Sequence, residues 1–240
     1  MQRLSLLRLT FETEINPWEV PAFQAAVADY LGGNPEGLFE PPGPAGVPAT
    51  GNRPAPLFAY PLAQFKMRRN HTRWQPLLLC LGAKVAQALK VFQNIQDTKV
   101  MVNGRPYSLN ITEAKAYNFD CRAGEQPYSY NLFKYQALNP KNYRLYQQLD
   151  GEREKKQFLE RLLVNHLLTF ARAVGWELDF QLEVQNLHIM NEKPVSCGAI
   201  KYHCFDLNFR CPLLLPEFIG LGNAVAKGFG VVRLDRRGLS

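Results

Sequence analysis

The sequence predicts an α+β fold in which a βαββαβ unit occurs twice, and three observations lead to this prediction. Several short segments alternate apolar and polar residues, as strands with one solvated face do, while others repeat apolar residues with helical spacing. The order of these segments in the first half of the chain recurs in the second half. The composition, with 46% hydrophobic and 20% charged residues, is that of a folded protein.

The first half opens with the alternating segment LSLLRLTFET, which predicts a strand. A helix is expected over NPWEVPAFQAAVADYLGG, with Asn16 as its cap and Pro17 in its first turn. Residues 32–56 hold 6 glycines and 7 prolines and predict a loop. Two strands (LFAYPLAQFKM and QPLLLCLG, joined by the basic connection RRNHTR), a helix (AKVAQALKVFQ) and a closing strand (DTKVMVNG) then complete a ferredoxin-like domain over 1–106.

The second half repeats this order over residues 107–240. A strand or hairpin is expected over 115–137, followed by the helix EREKKQFLERLLVNHLLTFARAVG. Two strands (LDFQLEVQNLHIM and GAIKYHCFDLNFR), a short helical turn near 216–226 and a last strand (GFGVVRL) follow. The sequence therefore predicts two tandem ferredoxin-like domains, the second with a glycine-rich loop in which Leu221 and Phe229 pack inward.

Charge and cysteine usage narrow the classes of partner and compartment. A formal net charge of +7 and a pI near 9.2 favour an anionic partner. No apolar run approaches the ~20 residues that span a bilayer, and Arg8 interrupts the apolar start, so neither a membrane span nor a signal peptide is expected. Five cysteines without a CxxC pair fit a reducing, cytoplasmic location, and the seven-residue spacing of Cys197, Cys204 and Cys211 matches no zinc site. No metal or other cofactor is predicted.

Two clusters of basic residues are candidates for binding a phosphate backbone, because guanidinium groups make paired contacts with phosphate oxygens. The first cluster consists of Arg68, Arg69 and Arg73. The second surrounds the glycine-rich loop and consists of Lys227, Arg233, Arg236 and Arg237. The glycines Gly220, Gly222, Gly228 and Gly230 would let the main chain and Lys227 approach an RNA backbone closely. The alternative for each cluster is a solvated surface without a ligand.

Five stretches along the chain carry a resemblance to a known family: TEINPWEVPAF, YPLAQFK, ALNPKNYRLYQ, LLVNHLLTFARAVGW and LPEFIGLGNAVAKGFGVV. The chain resembles the CRISPR-associated endoribonucleases that cut precursor CRISPR RNA within its repeats. The resemblance implies a metal-independent cut in which the ribose 2′-OH attacks the adjacent phosphate, leaving a 2′,3′-cyclic phosphate and a 5′-hydroxyl. It also implies CRISPR repeat RNA as the partner, with other CRISPR effector proteins as a further class left open.

The resemblance also bears on the catalytic residues. Members of this family usually carry a catalytic histidine between the first helix and the YPL strand, where this chain has none and Glu40 and prolines stand instead. His71, in the basic connection, is the candidate base, with a solvated loop histidine as the alternative. Tyr30 and Lys66 are further catalytic candidates, against core packing for Tyr30 and simple solvation for Lys66. His166 is expected to be packed, whereas His188 and His203 lie on predicted strands.

Three functions remain open from the sequence. The first is an active endoribonuclease, and the second is an RNA-binding protein of the same fold that has lost cleavage. The third is a structural protein whose basic face contacts only protein partners. Asn223 stands where relatives often carry a lysine after GLG, and Lys227 is expected to supply that charge.

Overall fold

The computed structural model describes residues 1–33, 37–39, 60–95, 97–197 and 200–236. Most of the loop predicted over 32–56, including Glu40, lies outside the described residues, and so does Arg237. The chain divides into two compact units, one formed by Leu4–Phe119 and the other by Asp120–Ser240 together with Met1–Arg3. No helix within the described part of the chain is both long and apolar enough to cross a membrane.

The first unit has the ferredoxin-like order of elements. Its elements are β1 (Gln2–Phe11), α1 (Val20–Tyr30), β2 (Ala63–Asn70), β3 (Arg73–Leu81), α2 (Lys84–Phe92), β4 (Lys99–Val102), β5 (Arg105–Ser108) and the first part of β6 (Ile111–Tyr135). In this unit the sheet runs in the order β2-β3-β1-β6, with antiparallel pairing of β1 and β2 to β3. This is the strand arrangement that a βαββαβ chain produces, so the predicted fold class is confirmed.

The predicted closing strand of the first unit is wrong. DTKVMVNG contains β4, which pairs only with β5 in a separate two-stranded sheet. Asn103 and Gly104 both have positive φ, 50° and 78°, so this Asn-Gly turn folds β4 back on β5. The strand beside β1 is instead the start of β6, where the Glu12 amide donates to Asn110 O at 2.7 Å. The two units accordingly divide at 119/120, C-terminal to the boundary predicted between 106 and 107.

The second unit repeats the arrangement with one additional helix. Its elements are the rest of β6, α3 (Pro140–Gln147), α4 (Glu152–Ala173), β7 (Gln185–Cys197), β8 (Ile200–Leu214), a 3₁₀ turn (Val225–Lys227) and β9 (Val231–Leu234). The strands run in the order β7-β8-β6, and β9 pairs with β6. The sequence did not predict α3, although Asn139 caps it by accepting from the Asn142 amide at 2.8 Å and Pro140 occupies its first turn.

The core of the first unit lies between its helices and its sheet. Phe11 contacts the rings of Phe23, Phe65 and Phe92 at centroid distances of 5.5, 6.4 and 5.9 Å. Helix α1 begins later than predicted, with Glu19 at the N-cap position and Pro21 in the first turn. Asn16 is therefore not the cap; its main-chain and side-chain nitrogens instead donate to the Glu19 carboxylate at 3.0 and 3.1 Å.

Candidate nucleic-acid interface

The first basic cluster lies on the hairpin that joins β2 to β3. The sequence predicted a basic connection over RRNHTR, but the strands continue through it, with Arg69 opposite Trp74 and Asn70 opposite Arg73. The turn is reduced to His71 and Thr72, and His71 has a φ of 52°, in the left-handed region that two-residue hairpin turns use. This arrangement places the basic side chains at the exposed end of a regular hairpin.

Two of the three arginines in this cluster are paired with carboxylates. Arg68 contacts one carboxylate oxygen of Glu113, and Arg8 donates to the other at 3.1 Å. Burial raises the pKa of Glu113, but the hydrogen bonds from Arg68 and Arg8 outweigh this effect and leave the pKa below its usual value. Arg73 lies 2.9 Å from Glu14, yet its side chain keeps 72% of its exposure. Arg73 can therefore reach a ligand without leaving the hairpin.

The hairpin also carries an exposed aromatic ring that the sequence reading passed over. Trp74 is 39% exposed, and the Arg69 guanidinium carbon lies 5.9 Å from its ring centroid. The Arg69 Nε donates to the His71 carbonyl at 3.1 Å, which keeps this guanidinium close to the turn. The sequence signal for this ring is the segment RRNHTRW, in which a tryptophan directly follows the basic residues.

The second basic cluster adjoins the segment 218–230, which we call the glycine loop. Its main chain enters the left-handed region repeatedly, at Phe218, Gly222, Ala224, Gly228 and Gly230. Leu221 and Phe229 are buried, as predicted. The Leu221 amide donates to Gly230 O at 2.8 Å, and Gly220 forms a bridge with Val231. The loop thus closes on itself.

Two of its glycines are required by the protein's own packing. A Cβ at Gly230 would lie 1.8 Å from Leu221 O, and one at Gly222 would lie 2.8 Å from Gln136 O and 2.9 Å from the Tyr135 ring. Asn223 continues this contact, since its amide and its Nδ2 donate to Gln136 O at 2.9 and 3.1 Å. The space freed at these glycines is therefore filled from within the chain.

Tyr135, which is buried, and His166, which is half-buried, form a pair of side chains next to the loop. The Tyr135 hydroxyl lies 2.7 Å from His166 Nδ1, and the two rings meet edge to face at 5.6 Å. Burial lowers the pKa of His166 from 6.5 to about 4 and raises the pKa of Tyr135. His166 is a packed, neutral histidine near pH 7, which agrees with the sequence prediction.

The cations near the glycine loop differ in how free they are. Lys227 is exposed in the 3₁₀ turn. Arg233 lies over the Phe218 ring at 4.3 Å and 3.5 Å from Glu217, and Arg236 lies 3.9 Å from the other oxygen of Glu217. One carboxylate thus offsets part of the charge of two arginines, whereas Lys227 is exposed.

Comparison with known proteins identifies the family. A family described as the Cas6b C-terminal domain matches residues 122–234, which include the whole glycine loop. An uncharacterized protein of Methanocaldococcus jannaschii is 32% identical over 112 residues, which cover 44% of this chain and 75% of that protein. The chain belongs to the CRISPR-associated endoribonuclease family. The resemblance found in the sequence is therefore confirmed.

Solved structures of this family share the fold of the chain. A crystal structure of Cas6b superposes with a TM-score of 0.79 at 20% identity, covering 98% of this chain and 100% of that one. The CRISPR RNA processing endoribonuclease Cas6b gives 0.70 at 18%, and a Cas6 product complex gives 0.53 at 12%, with the same coverage. At these identities the superpositions establish the common architecture.

The three catalytic candidates of this family member do not converge in the first unit. His71 lies in the turn after β2, whereas Lys66 lies five positions earlier on the same strand, ~16 Å away along an extended chain. Tyr30 ends α1, and its hydroxyl lies 3.4 Å from Thr98 Oγ1. The loop before α1 reaches the hairpin, where the Ile15 amide donates to Trp74 O, and Tyr30 lies at the other end of α1, ~15 Å along the helix from Val20.

Exposure separates these candidates further. Tyr30 is 50% exposed, whereas Val20, Phe23 and Val27 on the same helix are buried. Tyr30 therefore does not pack in the core, which was the alternative to a catalytic role. Lys66 is fully buried, and burial lowers the pKa of its amine well below the usual value. His71 is exposed at the hairpin turn.

The remaining histidines lie in the second unit. The His203 Nε2 lies 2.6 Å from a Glu192 oxygen, and the Tyr146 hydroxyl donates to the other oxygen at 3.1 Å. Glu192, Tyr146 and the exposed His188 line a cleft of about 670 Å³ together with Arg153, Lys155 and Lys156 from α4. The sequence reading did not identify this cleft, because its cations in the segment EREKK belong to the start of α4 and only the fold brings β7 against them. Among the described residues, no group of three or more His, Cys, Asp or Glu side chains could hold a metal ion.

Proposed function

We propose that this chain binds precursor CRISPR RNA and cuts it within the repeats. The observation that carries the proposal is the family match over 122–234, which includes the glycine loop, Lys227 and Arg233. The relatives that share the fold include one named as a CRISPR RNA processing endoribonuclease. The net charge of +7 and the two basic clusters suit a phosphate backbone.

Binding is assigned to cations on each of the two units. In the first unit the proposed contacts come from Arg68, Arg69 and Arg73 on the hairpin. In the second unit they come from Lys227 and Arg233, with the main chain at Gly220, Gly222, Gly228 and Gly230 close by. Because the protein's own atoms occupy the space beside Gly222 and Gly230, these glycines would act by shaping the loop that presents Lys227.

The proposed reaction is a transesterification within the RNA. A base removes the proton of the ribose 2′-OH, the 2′ oxygen bonds to the adjacent phosphorus, and the bond from phosphorus to the 5′ oxygen breaks. An acid then protonates that 5′ oxygen, leaving a 2′,3′-cyclic phosphate and a 5′-hydroxyl. His71 is the proposed base, because its imidazole is exposed among cations that would hold the phosphate. Tyr30 and Lys66 are assigned no step in this reaction, because Lys66 is fully buried and Tyr30 lies at the end of α1.

A second candidate function is an RNA-binding protein that does not cut. It is favoured by the separation of His71, Tyr30 and Lys66 and by the lack of any histidine between 31 and 59 in the sequence. In this case the same cations would bind the repeat, and the RNA would remain intact.

A cleavage assay distinguishes the functions. Labelled CRISPR repeat RNA is incubated in EDTA with excess protein, and single-turnover products are resolved beside a repeat with a 2′-deoxy nucleotide at the cut. A specific cut that the 2′-deoxy substitution abolishes supports the endoribonuclease, and tight binding without cutting supports the second function. Failure to retain the RNA at low salt would contradict both and favour the structural protein.

The role of His71 is tested in the same assay. Because His71 has a positive φ, His71→Asn is preferred over alanine, since asparagine tolerates that conformation. Loss of a general base lowers the rate by about a hundredfold or more. His188→Asn, at an exposed histidine of the other unit, is the matched control and should cut at the wild-type rate. An unchanged rate in His71→Asn would remove this residue from the mechanism.

A further inference from the structure

Two of the three tryptophans of this chain are exposed, and both belong to the first unit. Trp18 is 67% exposed and Trp74 is 39% exposed, whereas Trp176 in the second unit is only 5% exposed. An indole is a large apolar surface, and proteins usually bury it. Exposed tryptophans beside a cationic cluster are therefore candidates for a ligand that offers both flat rings and negative charge.

The segments that carry the two exposed indoles are tied to each other at one end of the first unit. The Ile15 amide donates to Trp74 O at 3.1 Å, and Glu14 pairs with Arg73 at 2.9 Å, so the segment after β1 is tied to the start of β3. Trp18 follows three residues later, in a turn where the Glu19 amide donates to Asn16 O at 2.9 Å. These contacts are made by the main chain and by an ion pair, so they hold the segment independently of the indoles.

Cations accompany Trp74 on the hairpin. The Arg69 guanidinium lies over the Trp74 ring at 5.9 Å, and Arg73 stands next to Trp74 in sequence with a side chain that is 72% exposed. Proteins hold single-stranded RNA with this combination, because aromatic rings stack on bases while cations follow the phosphates. Paired RNA offers no free base faces along its length, so this combination selects unpaired nucleotides.

We propose that Trp74 and Trp18 form a stacking platform for unpaired bases of RNA, with Arg69 and Arg73 contacting the adjoining phosphates. The proposal deepens the proposed function in one respect, since it takes RNA as the occupant of the basic hairpin. It adds that this unit binds a single-stranded segment of the substrate through base faces, without requiring a particular base sequence.

The test uses the full chain and single-stranded RNA. Uridine and adenosine oligonucleotides of equal length are titrated into wild type, Trp74→Ala, Trp74→Phe and Trp18→Ala, with affinity and tryptophan emission recorded together. Removing a stacking ring should weaken binding by about 5- to 100-fold, whereas Trp74→Phe keeps a ring and should lose much less. Phe180→Ala, at a ring 37% exposed in the other unit, is the matched control and should bind as wild type does.

Two readouts separate stacking from a mere change of surface. Quenching of emission should fall in both alanine variants, and RNA with abasic sites should bind wild type as weakly as the variants bind intact RNA. The slope of log Kd against log salt should stay unchanged in Trp74→Ala, because an indole releases no counterions, and should shrink by ~0.7 per lost phosphate contact in Arg73→Ala. Wild-type affinity and quenching in Trp74→Ala would overturn the proposal, as would wild-type protein that binds no single-stranded RNA.

These outcomes are distinct from those of the cleavage assay. If the repeat RNA is cut and Trp74→Ala binds single strands as wild type does, the platform is refuted and the proposed function stands. If wild type binds single strands without cutting the repeat, and Trp74→Ala binds single strands more weakly, the platform stands without the nuclease. If wild type binds neither the repeat RNA nor the single-stranded RNAs, both proposals fail and a protein partner is indicated.

Discussion

The glycine loop and the β2–β3 hairpin are both basic in sequence, but they are constructed by opposite means. In the loop, positive φ values and glycines bring main-chain atoms against each other, so its shape is determined by internal contacts. In the hairpin, a regular strand pair projects side chains outward, so its chemistry depends on what those side chains can reach. Substitutions in the loop should therefore change stability first, and substitutions at the hairpin tip should change binding first.

Gly230→Ala should have the largest effect on stability. The new Cβ would lie 1.8 Å from Leu221 O at a φ of 63°, so the loop must move apart. We expect a loss of about 3 kcal/mol or more in the free energy of unfolding, from overpacking and left-handed strain together. Gly175→Ala is the matched control, because its φ is 71° and its Cβ would meet nothing within 4 Å. Equal losses in urea unfolding would contradict the close packing of the loop.

The His166 imidazole should make the second unit sensitive to acid. Its pKa is about 4 in the folded chain and near 6.5 when unfolded, so the unfolded chain binds the proton first as pH falls. Stability should therefore drop by about 3 kcal/mol between pH 6.5 and pH 4. His166→Gln removes this titration, whereas Tyr135→Phe removes only the hydrogen-bond partner and should keep it. The three pH profiles of urea unfolding should be compared, and parallel profiles for wild type and His166→Gln would refute the assignment.

Lys66→Met tests whether the buried end of the β2–β3 hairpin contributes to stability while only its exposed tip contributes to RNA binding. Burial lowers the pKa of Lys66, so the unfolded chain holds this proton to higher pH and folding is penalised at neutral pH. The variant should gain about 1–2 kcal/mol at pH 7, and the gain should shrink as pH approaches 10. RNA affinity should not change. A large loss of affinity in a folded Lys66→Met protein would return Lys66 to the RNA contact.

Glu113→Gln should have the smallest effect. The Glu113 carboxylate accepts hydrogen bonds from Arg68 and Arg8, and its side chain is 38% exposed. Because solvent screens these ion pairs, the free energy of unfolding should fall by about 0.5–1 kcal/mol at pH 7. Because the pKa of Glu113 is lowered in the fold, this stability is present above its unfolded pKa and disappears as pH falls through the folded one. Wild type and variant should therefore converge in acid, and Glu12→Gln provides a nearby carboxylate control.

The fold was largely readable from the sequence because each half carries its own alternation of strand and helix patterns. The reading failed where partner choice mattered: β4 looks like a closing strand, but only the Asn103–Gly104 turn shows that it folds onto β5. The candidate site was harder. Lys66 shares a strand face with Gln64, and periodicity alone could not show that both are buried. Trp74 was overlooked because a tryptophan usually indicates a core position. Its exposure depends on how far β2 and β3 continue toward the turn, which the sequence alone does not show.

The length of β6 has a consequence for how this chain tolerates change. It is a single strand from Ile111 to Tyr135, so the junction of the two units at 119/120 is extended backbone with alternating faces. Loops absorb inserted residues at little cost, but one residue added near position 119 would exchange inward and outward side chains on one side of the insertion. Lengthening the strand at that point by a pair of residues, in contrast, would preserve its alternation.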